Sequence, residues 1–322
     1  MIFESILIVI GALVLDLTLG DPKNRFHPTV WVGIVVAKLV PFVANKGPSA
    51  EKAGGILVTV CVTALVASIL VSYEFFTKNV TDVVSAIILI LLGSILLKTT
   101  IAIRGLEKHG VLVMNALSKN NLEEARNRLS MLVKRSTKEL DRNHIVSGVL
   151  ESTSENIVDG ITGPLFYFGI FGLPGAFVYR TVNTIDAMIG YKNSLFQNVG
   201  WFGANCDKVL NYLPARITAY VMVLAAFLIG ADWKNSFNTI LRDGRKTSSP
   251  NAGYPMAAMA GALCTRFEKI DHYCLGNGTM ELDEHHFRSA ILLMKVTGIL
   301  FCGMITIPLI VLLSYLGWWI HA

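Results

Sequence analysis

The sequence predicts an all-α, polytopic integral membrane protein with about five transmembrane helices, a helical cytoplasmic insertion and one broken or re-entrant segment. Three observations predict it. Hydrophobic residues make up 53% of the 322 residues and charged ones only 16%, with a mean hydropathy of +0.54, whereas a soluble domain carries about 25% charge. Uncharged apolar runs recur along the chain. The polar stretches between them carry Lys and Arg in the uneven way that orients membrane proteins.

Spanning a bilayer takes roughly 20 apolar residues. Ile2–Leu19 is read as a retained first span despite Asp16. Glu4 stands where a signal peptide would be basic, and no cleavage site follows before Gly20-Asp21-Pro22. Runs 53–71 and 83–97 are uncharged. Run 296–320 ends in Trp318-Trp319, aromatics suited to a membrane interface. Run 217–231 is short. Run 161–179 is uncharged but holds Gly163, Pro164, Gly169, Gly172, Pro174 and Gly175, and helix breakers at membrane depth need protein or water around them. The polar stretches are 20–52, 104–160, 180–212 and 232–290. Within 104–160, residues 122–129 alternate charged and apolar positions at helical spacing, so this stretch is the expected insertion within a single membrane domain of residues 1–322.

Charge sets the topology and excludes some functions. Stretch 20–52 has Lys23, Arg25, Lys38, Lys46 and Lys52, and 104–160 is rich in both cations, which places both inside. The net charge of +5 is mild, with no basic-aromatic stripe, so nucleic acid is not an expected partner. The five cysteines form no C-x-x-C pair. No P-loop, G-x-G-x-x-G, H-E-x-x-H or G-x-S-x-G pattern occurs. There is no internal repeat.

Four constellations can carry chemistry. Glu151, Glu155 and Asp159 are spaced i, i+4, i+8, an acidic stripe beside Asn156. Like charges at that spacing repel; on a solvated face they mean little, but beside an apolar run they call for a cation. Carboxylates suit Mg²⁺, which is often shared with substrate phosphates. Tyr179, Asn183 and Asp186 fall on one helical face, followed by Gly190-Tyr191-Lys192-Asn193, and they flank the Gly/Pro-rich run. Read without other information, this is also an ordinary polar helix end. Arg245-Lys246 precede a Ser249-Pro250-Asn251 turn, which can receive a phosphate or carboxylate or be a plain surface turn. Asp21 and His27 lie just past the first span, with Asp16 at its end.

Taken in order, these blocks resemble the adenosylcobinamide-phosphate synthase family of cobalamin biosynthesis. The likeness rests on Leu15-Asp16, Gly20-Asp21-Pro22 and His27-Pro28; on Glu151-Ser152, Glu155-Asn156 and Val158-Asp159-Gly160; on Pro164-Leu165-Phe166-Tyr167 and Pro174-Gly175-Ala176; on Val182-Asn183-Thr184-Ile185-Asp186 and Gly190-Tyr191-Lys192-Asn193; and on Asn211-Tyr212-Leu213-Pro214-Ala215-Arg216 and Ser249-Pro250-Asn251-Ala252-Gly253. Three positions depart from the family pattern. Arg135-Ser136-Thr137 stands for Arg-Asp-Thr, Thr247 for His and Met256 for Glu. Ser136 removes one possible metal ligand, and the other two argue against an essential acid or base there.

The resemblance implies a ligase that joins a propionate carboxylate of adenosylcobyric acid to aminopropanol or its phosphate, with ATP as substrate and Mg²⁺, through an acyl phosphate. It implies catalytic roles for Glu151, Glu155, Asp159 and Asp186, with Mg²⁺ on Glu151, Glu155 and Asp159. Substrate contacts are expected from Asp21, His27, Arg135, Asn156, Tyr179, Asn183, Tyr191, Lys192, Asn193, Arg245, Ser249 and Asn251. The expected setting is the cell membrane, with the active site facing the cytoplasm and the bilayer and other membrane enzymes of the pathway as partners. A corrinoid transporter, or a structural subunit of a membrane assembly, is the alternative. If ATP is cytoplasmic, Asn183 and Asp186 must face it too, so 161–179 is expected to break near Gly172–Gly175 and turn back, its freed backbone lining the substrate cavity.

Overall fold

The structure, a computed structural model, describes residues 2–22, 24–77, 82–133, 135–191, 194–318 and 320. With 76% of the residues helical, the chain is all-α as expected. The strands described, β1 (Phe267–Lys269) and β2 (Tyr273–Leu275), form an antiparallel hairpin that pairs Phe267 with Leu275. The helices are α1 (Ile2–Leu19), α2 (Pro28–Val43), α3 (Pro48–Thr77), α4 (Val83–Lys98), α5 (Ile103–Ser118), α6 (Leu122–Ser130), α7 (Arg142–Ile157), α8 (Gly163–Ile189), α9 (Trp201–Leu210), α10 (Tyr212–Leu228), α11 (Trp233–Asp243), α12 (Gly253–Ala262), α13 (Glu284–Phe301) and α14 (Ile307–Tyr315). Among the described residues, five helical stretches are long and apolar enough to cross a membrane, or six if the bent pair α9–α10 counts as one span. The protein is a multi-pass membrane protein.

The expected single domain divides into two compact units. One comprises Met1–Ala102, Asp159–Asn211 and Cys302–Ala322; the other comprises Ile103–Val158 and Tyr212–Phe301. The 104–160 stretch is helical, and in the second unit α7 packs with α12 and α13 and α5 with α13. The apolar content of α12 explains this. Its residues from Pro255 to Ala262 are all buried, and a helix apolar all round needs partners on every side.

In the first unit, α1 exposes Phe3, Leu7, Ile10 and Val14 on one face and buries Val9, Ala12, Leu13 and Asp16 on the other. The buried face meets α4. Gly93 permits this approach, since a Cβ there would lie 2.8 Å from Ile8 Cδ1; small residues are what let membrane helices close on one another. The stretch 20–52, polar in the sequence reading, holds the apolar helix α2. Its Val36 packs with Val58 and Val62 of α3 and Ile185 of α8.

Helix α8 breaks where the sequence analysis places the break. Phe171 has φ −127° and ψ 16°, and Gly172 has φ +59° and ψ −150°, a region essentially reserved for glycine. The contacts across the break show that the chain turns back. Tyr167 and Tyr179 would be about 18 Å apart along a straight helix, yet their rings stack at 5.3 Å between centroids. A methyl group on Gly163 would collide with the Tyr179 ring. The first arm, 163–170, is about 12 Å long, far short of the roughly 30 Å hydrocarbon core.

Two of the backbone groups at the break have side-chain partners. Ile170 O accepts from Trp318 Nε1 at 2.8 Å, and Leu173 N–H donates to Glu74 Oε1 at 3.2 Å. An unsatisfied backbone group at membrane depth costs several kcal/mol, and side chains from α3 and the C-terminal segment satisfy these two.

Candidate active site

The re-entrant turn brings the second arm of α8 back to the start of the first. Arg180 Nη1 donates to Asp159 O at 2.9 Å and to Asn183 Oδ1 at 2.8 Å. Asn183 Nδ2 donates to Asp207 Oδ1 at 3.2 Å. Asp207 Oδ2 accepts from Asn211 Nδ2 at 3.0 Å, and Asn211 Oδ1 accepts from Tyr179 at 2.5 Å. The Arg and Tyr donors fix the orientation of both amides, since each amide oxygen must face its donor. Asp159 and Asp186 act electrostatically on Asp207, so three carboxylates share this end of the unit.

The loop after α1 joins the cluster. Lys98, buried at the end of α4, lies 3.0 Å from Asp21 Oδ1 and 3.8 Å from the fully buried Asp16. Buried charges need such partners. Asp21 lies 4.0 Å from His27 Nε2, and His27 Nδ1 shares a 2.6 Å hydrogen bond with Thr29 Oγ1. Burial pushes the imidazole below its ordinary pKa; Asp21 opposes the shift, while Arg180 and Lys98 add to it. The structure thus gathers Asp21, His27, Asp159, Tyr179, Asn183 and Asp186 in one unit. Tyr191 is exposed, 6.4 Å from the Phe196 ring. Lys192 and Asn193 lie outside the described residues.

Four members of this cluster are absent from the candidate set. Lys98 follows the uncharged run 83–97, and a cation that closes an uncharged span is a usable signal. Arg180 reads as the edge of the Tyr179 motif. Asp207 and Asn211 are spaced i, i+4 on α9 and its end, a pattern that signals little alone.

The second unit holds the remaining candidates. Glu151 is buried, and both its oxygens are engaged. Arg135 Nη1 and Nη2 donate to them at 3.1 and 3.0 Å, Ser147 Oγ at 2.8 Å, and the Tyr273 hydroxyl at 2.8 Å. Burial and then Glu151 hold the Tyr273 phenol far above its ordinary pKa, so it stays a donor. The cation that the acidic stripe calls for at Glu151 is supplied by Arg135, which is itself turned to this pair. Glu155 is exposed, and Asn156 bonds back to Ser152. Val158–Thr162 forms a π turn, so the α-helical register of the stripe ends before Asp159. Among the described residues no group of three or more His, Cys, Asp or Glu side chains is placed to hold a metal ion.

The 245–254 turn is built around Arg216. Its guanidinium lies over Tyr212 and Tyr254, 3.5 and 4.5 Å from the ring centroids, and bonds Asn251 Oδ1 at 3.1 Å and Pro250 O at 3.2 Å. Ser249 Oγ accepts from the Asn251 and Ala252 amides. Arg245 is exposed and bonds the Tyr254 hydroxyl.

Comparison with known proteins is consistent along the chain. The family described as CobD/Cbib protein matches residues 9–294. A "Probable cobalamin biosynthesis protein CobD" of Methanothermobacter thermautotrophicus is 42% identical over 298 residues, 92% of this chain and 96% of that one. The cobalamin biosynthesis protein CobD of Leptospira interrogans is 42% identical over 263 residues, 81% of this chain and 82% of that one. That of Dehalococcoides mccartyi is 35% identical over 295 residues, 92% and 94%. No solved structure matches. On this similarity, carried over most of its length, the chain belongs to the CobD/Cbib protein family.

Proposed function

We propose that this chain is a biosynthetic enzyme of the cobalamin pathway that joins a propionate carboxylate of adenosylcobyric acid to the amine of aminopropanol or its phosphate, with ATP. A carboxylate is a poor electrophile. Transfer of the γ-phosphoryl to a carboxylate oxygen gives an acyl phosphate and ADP. The amine nitrogen then attacks the carbonyl carbon, the carbon–oxygen bond to phosphate breaks, and phosphate leaves with the electron pair.

The observation that carries this reading is Arg180. Both its hydrogen bonds leave from Nη1, and Nε has no partner among the described residues. Nε is buried, and a guanidinium with an unpaired buried N–H calls for an acceptor such as a carboxylate or phosphoryl oxygen. Phosphoryl transfer is mostly positioning plus charge neutralisation, and Arg180 and Lys98 are cations of this cluster among the described residues. Mg²⁺ would neutralise phosphate oxygens there. It is usually held by one or two carboxylates plus the phosphates themselves, which fits the half-buried Asp159 and Asp186 without an all-protein cage. Glu155 is exposed in the second unit. The Arg245, Ser249 and Asn251 turn supplies polar contacts for a substrate. ATP is cytoplasmic, so the site faces the cytoplasm and the protein resides in the cell membrane.

Purified protein incubated with adenosylcobyric acid, the amine, ATP and Mg²⁺ tests this. One ADP and one phosphate should appear per amide formed, and none when any component is omitted. Corrinoid binding with ATP left intact would favour the transport or scaffold reading instead.

A further inference from the structure

The reaction proposed above leaves one proton unassigned. An alkyl ammonium, like a Lys side chain, has a pKa near 10.4, so at neutral pH the amine arrives as a cation with no lone pair. It must lose one proton before it can attack, and a second after the carbon–nitrogen bond forms; the departing phosphate can accept the second. The first needs a base in the site.

We infer that Asp21 and His27 form the amine-binding pair of this enzyme, Asp21 holding the ammonium and His27 Nε2 taking its proton. This rests on the acyl-transfer reading and goes beyond it by assigning the nucleophile's subsite. Four observations carry it. First, His27 is the one imidazole among the described residues of its unit. Second, its Nδ1 is engaged by Thr29 Oγ1 at 2.6 Å, which fixes the ring and leaves Nε2 as the reacting nitrogen; a base oriented by a partner on its other nitrogen is the usual catalytic arrangement. Third, Nε2 and Asp21 Oδ1 are 4.0 Å apart, too far to bond each other directly. One ammonium nitrogen can bridge two acceptors at that separation with hydrogen bonds of roughly 2.8–3.0 Å. Fourth, the Asp21 side chain is 32% exposed and that of His27 13%, so a small amine can reach the pair.

The surrounding charges favour the task. Lys98 of α4 and Arg180 of α8 face the imidazole, and with burial they keep it neutral against the pull of Asp21. Lys98 donates to Asp21 Oδ1 at 3.0 Å and lies 3.8 Å from Asp16 of α1, so Asp21 would hold the ammonium through its remaining lone pairs. A neutral imidazole at pH 7 has an open Nε2 lone pair. The step balances: the ammonium proton moves to Nε2, the freed nitrogen pair forms the amide bond, and the imidazolium returns its proton to solvent.

Hydroxylamine tests this, because it is neutral at pH 7 and traps acyl phosphates as hydroxamates without a base. Wild type should form the amide with aminopropanol and the hydroxamate with hydroxylamine, both requiring ATP. His27→Gln should lose at least about 100-fold with aminopropanol, the lower range of general-base catalysis, and keep hydroxamate formation within a few-fold. Its remaining amide synthesis should rise about tenfold per pH unit, following the free amine, whereas wild type should plateau once His27 is deprotonated. Equal loss with both nucleophiles in a variant that folds as wild type does would overturn the base role. If His27→Gln does not fold, Thr29→Val replaces it, with loss on aminopropanol expected to exceed loss on hydroxylamine; equal effects would again overturn the role. Amide synthesis without hydroxamate from wild type would defeat the acyl phosphate reading, and this inference with it.

Discussion

Gly172→Ala is the most informative single change in the hairpin. At φ +59° and ψ −150°, an alanine pays about 1–3 kcal/mol in backbone strain. Its Cβ would also lie 2.9 Å from Ile320 Cγ2 and 3.0 Å from Glu74 Oε1. Both are side-chain ends that can yield, so crowding adds about 1 kcal/mol, the low end of overpacking. The sum is about 2–4 kcal/mol against the turned-back form. Displacing Glu74 also weakens its bond from the Leu173 amide. Because Arg180 and Asn183 are placed by the return of α8, turnover should fall together with stability. The comparison is Gly303→Ala, where a Cβ meets nothing within 4 Å. Thermal unfolding in detergent and turnover are measured for both. Gly172→Ala should unfold at lower temperature than wild type and Gly303→Ala and lose most activity. Unfolding and turnover matching wild type would refute the re-entrant turn as the support of the site.

Other consequences are open to measurement. Arg135→Met should destabilise the protein by about 3 kcal/mol, the low end for breaking a buried pair because Ser147 and Tyr273 still bond Glu151, and Arg135→Met with Glu151→Gln should recover part of that loss; a folded single variant with unchanged stability but a raised KM would instead make Arg135 a substrate contact. Asp243 gives a pH signature. Burial would raise its pKa, but hydrogen bonds from Arg242, Lys246 and the Gly276 amide outweigh this and bring it to about 2, against about 3.9 unfolded. Its folded pKa is depressed, so its stabilisation is present above about pH 4 and is lost as pH falls towards 2. Asp243→Asn should flatten the stability profile between those values, and an unchanged acid limb would contradict the assignment.

The sequence shows some of this architecture plainly and hides the rest for physical reasons. Spans α1, α3 and α4 are legible because lipid-facing helices carry long apolar runs. The break in α8 is legible because Gly172 and Pro174 cannot continue a helix without cost. That the chain turns back depends on Tyr167 and Tyr179 stacking and on Gly163 admitting the Tyr179 ring, contacts between arms that no local pattern encodes. The acidic stripe is legible as a pattern, yet Arg135, which pairs with Glu151, lies 16 residues from it across a turn, so that partner is invisible to helical spacing. Asp207 likewise gains meaning only when α9 meets α8. The division into two units escapes a linear reading because α5–α7 find their partners among residues 212–301.

The most direct measurement follows the carboxylate oxygen. Adenosylcobyric acid labelled with oxygen-18 in its free carboxylate is converted with ATP and amine, and the phosphate released is analysed by mass spectrometry. If the carboxylate is activated as an acyl phosphate, one labelled oxygen passes into inorganic phosphate for each amide formed. Label found in AMP, or unlabelled phosphate accompanying amide formation, would contradict that route.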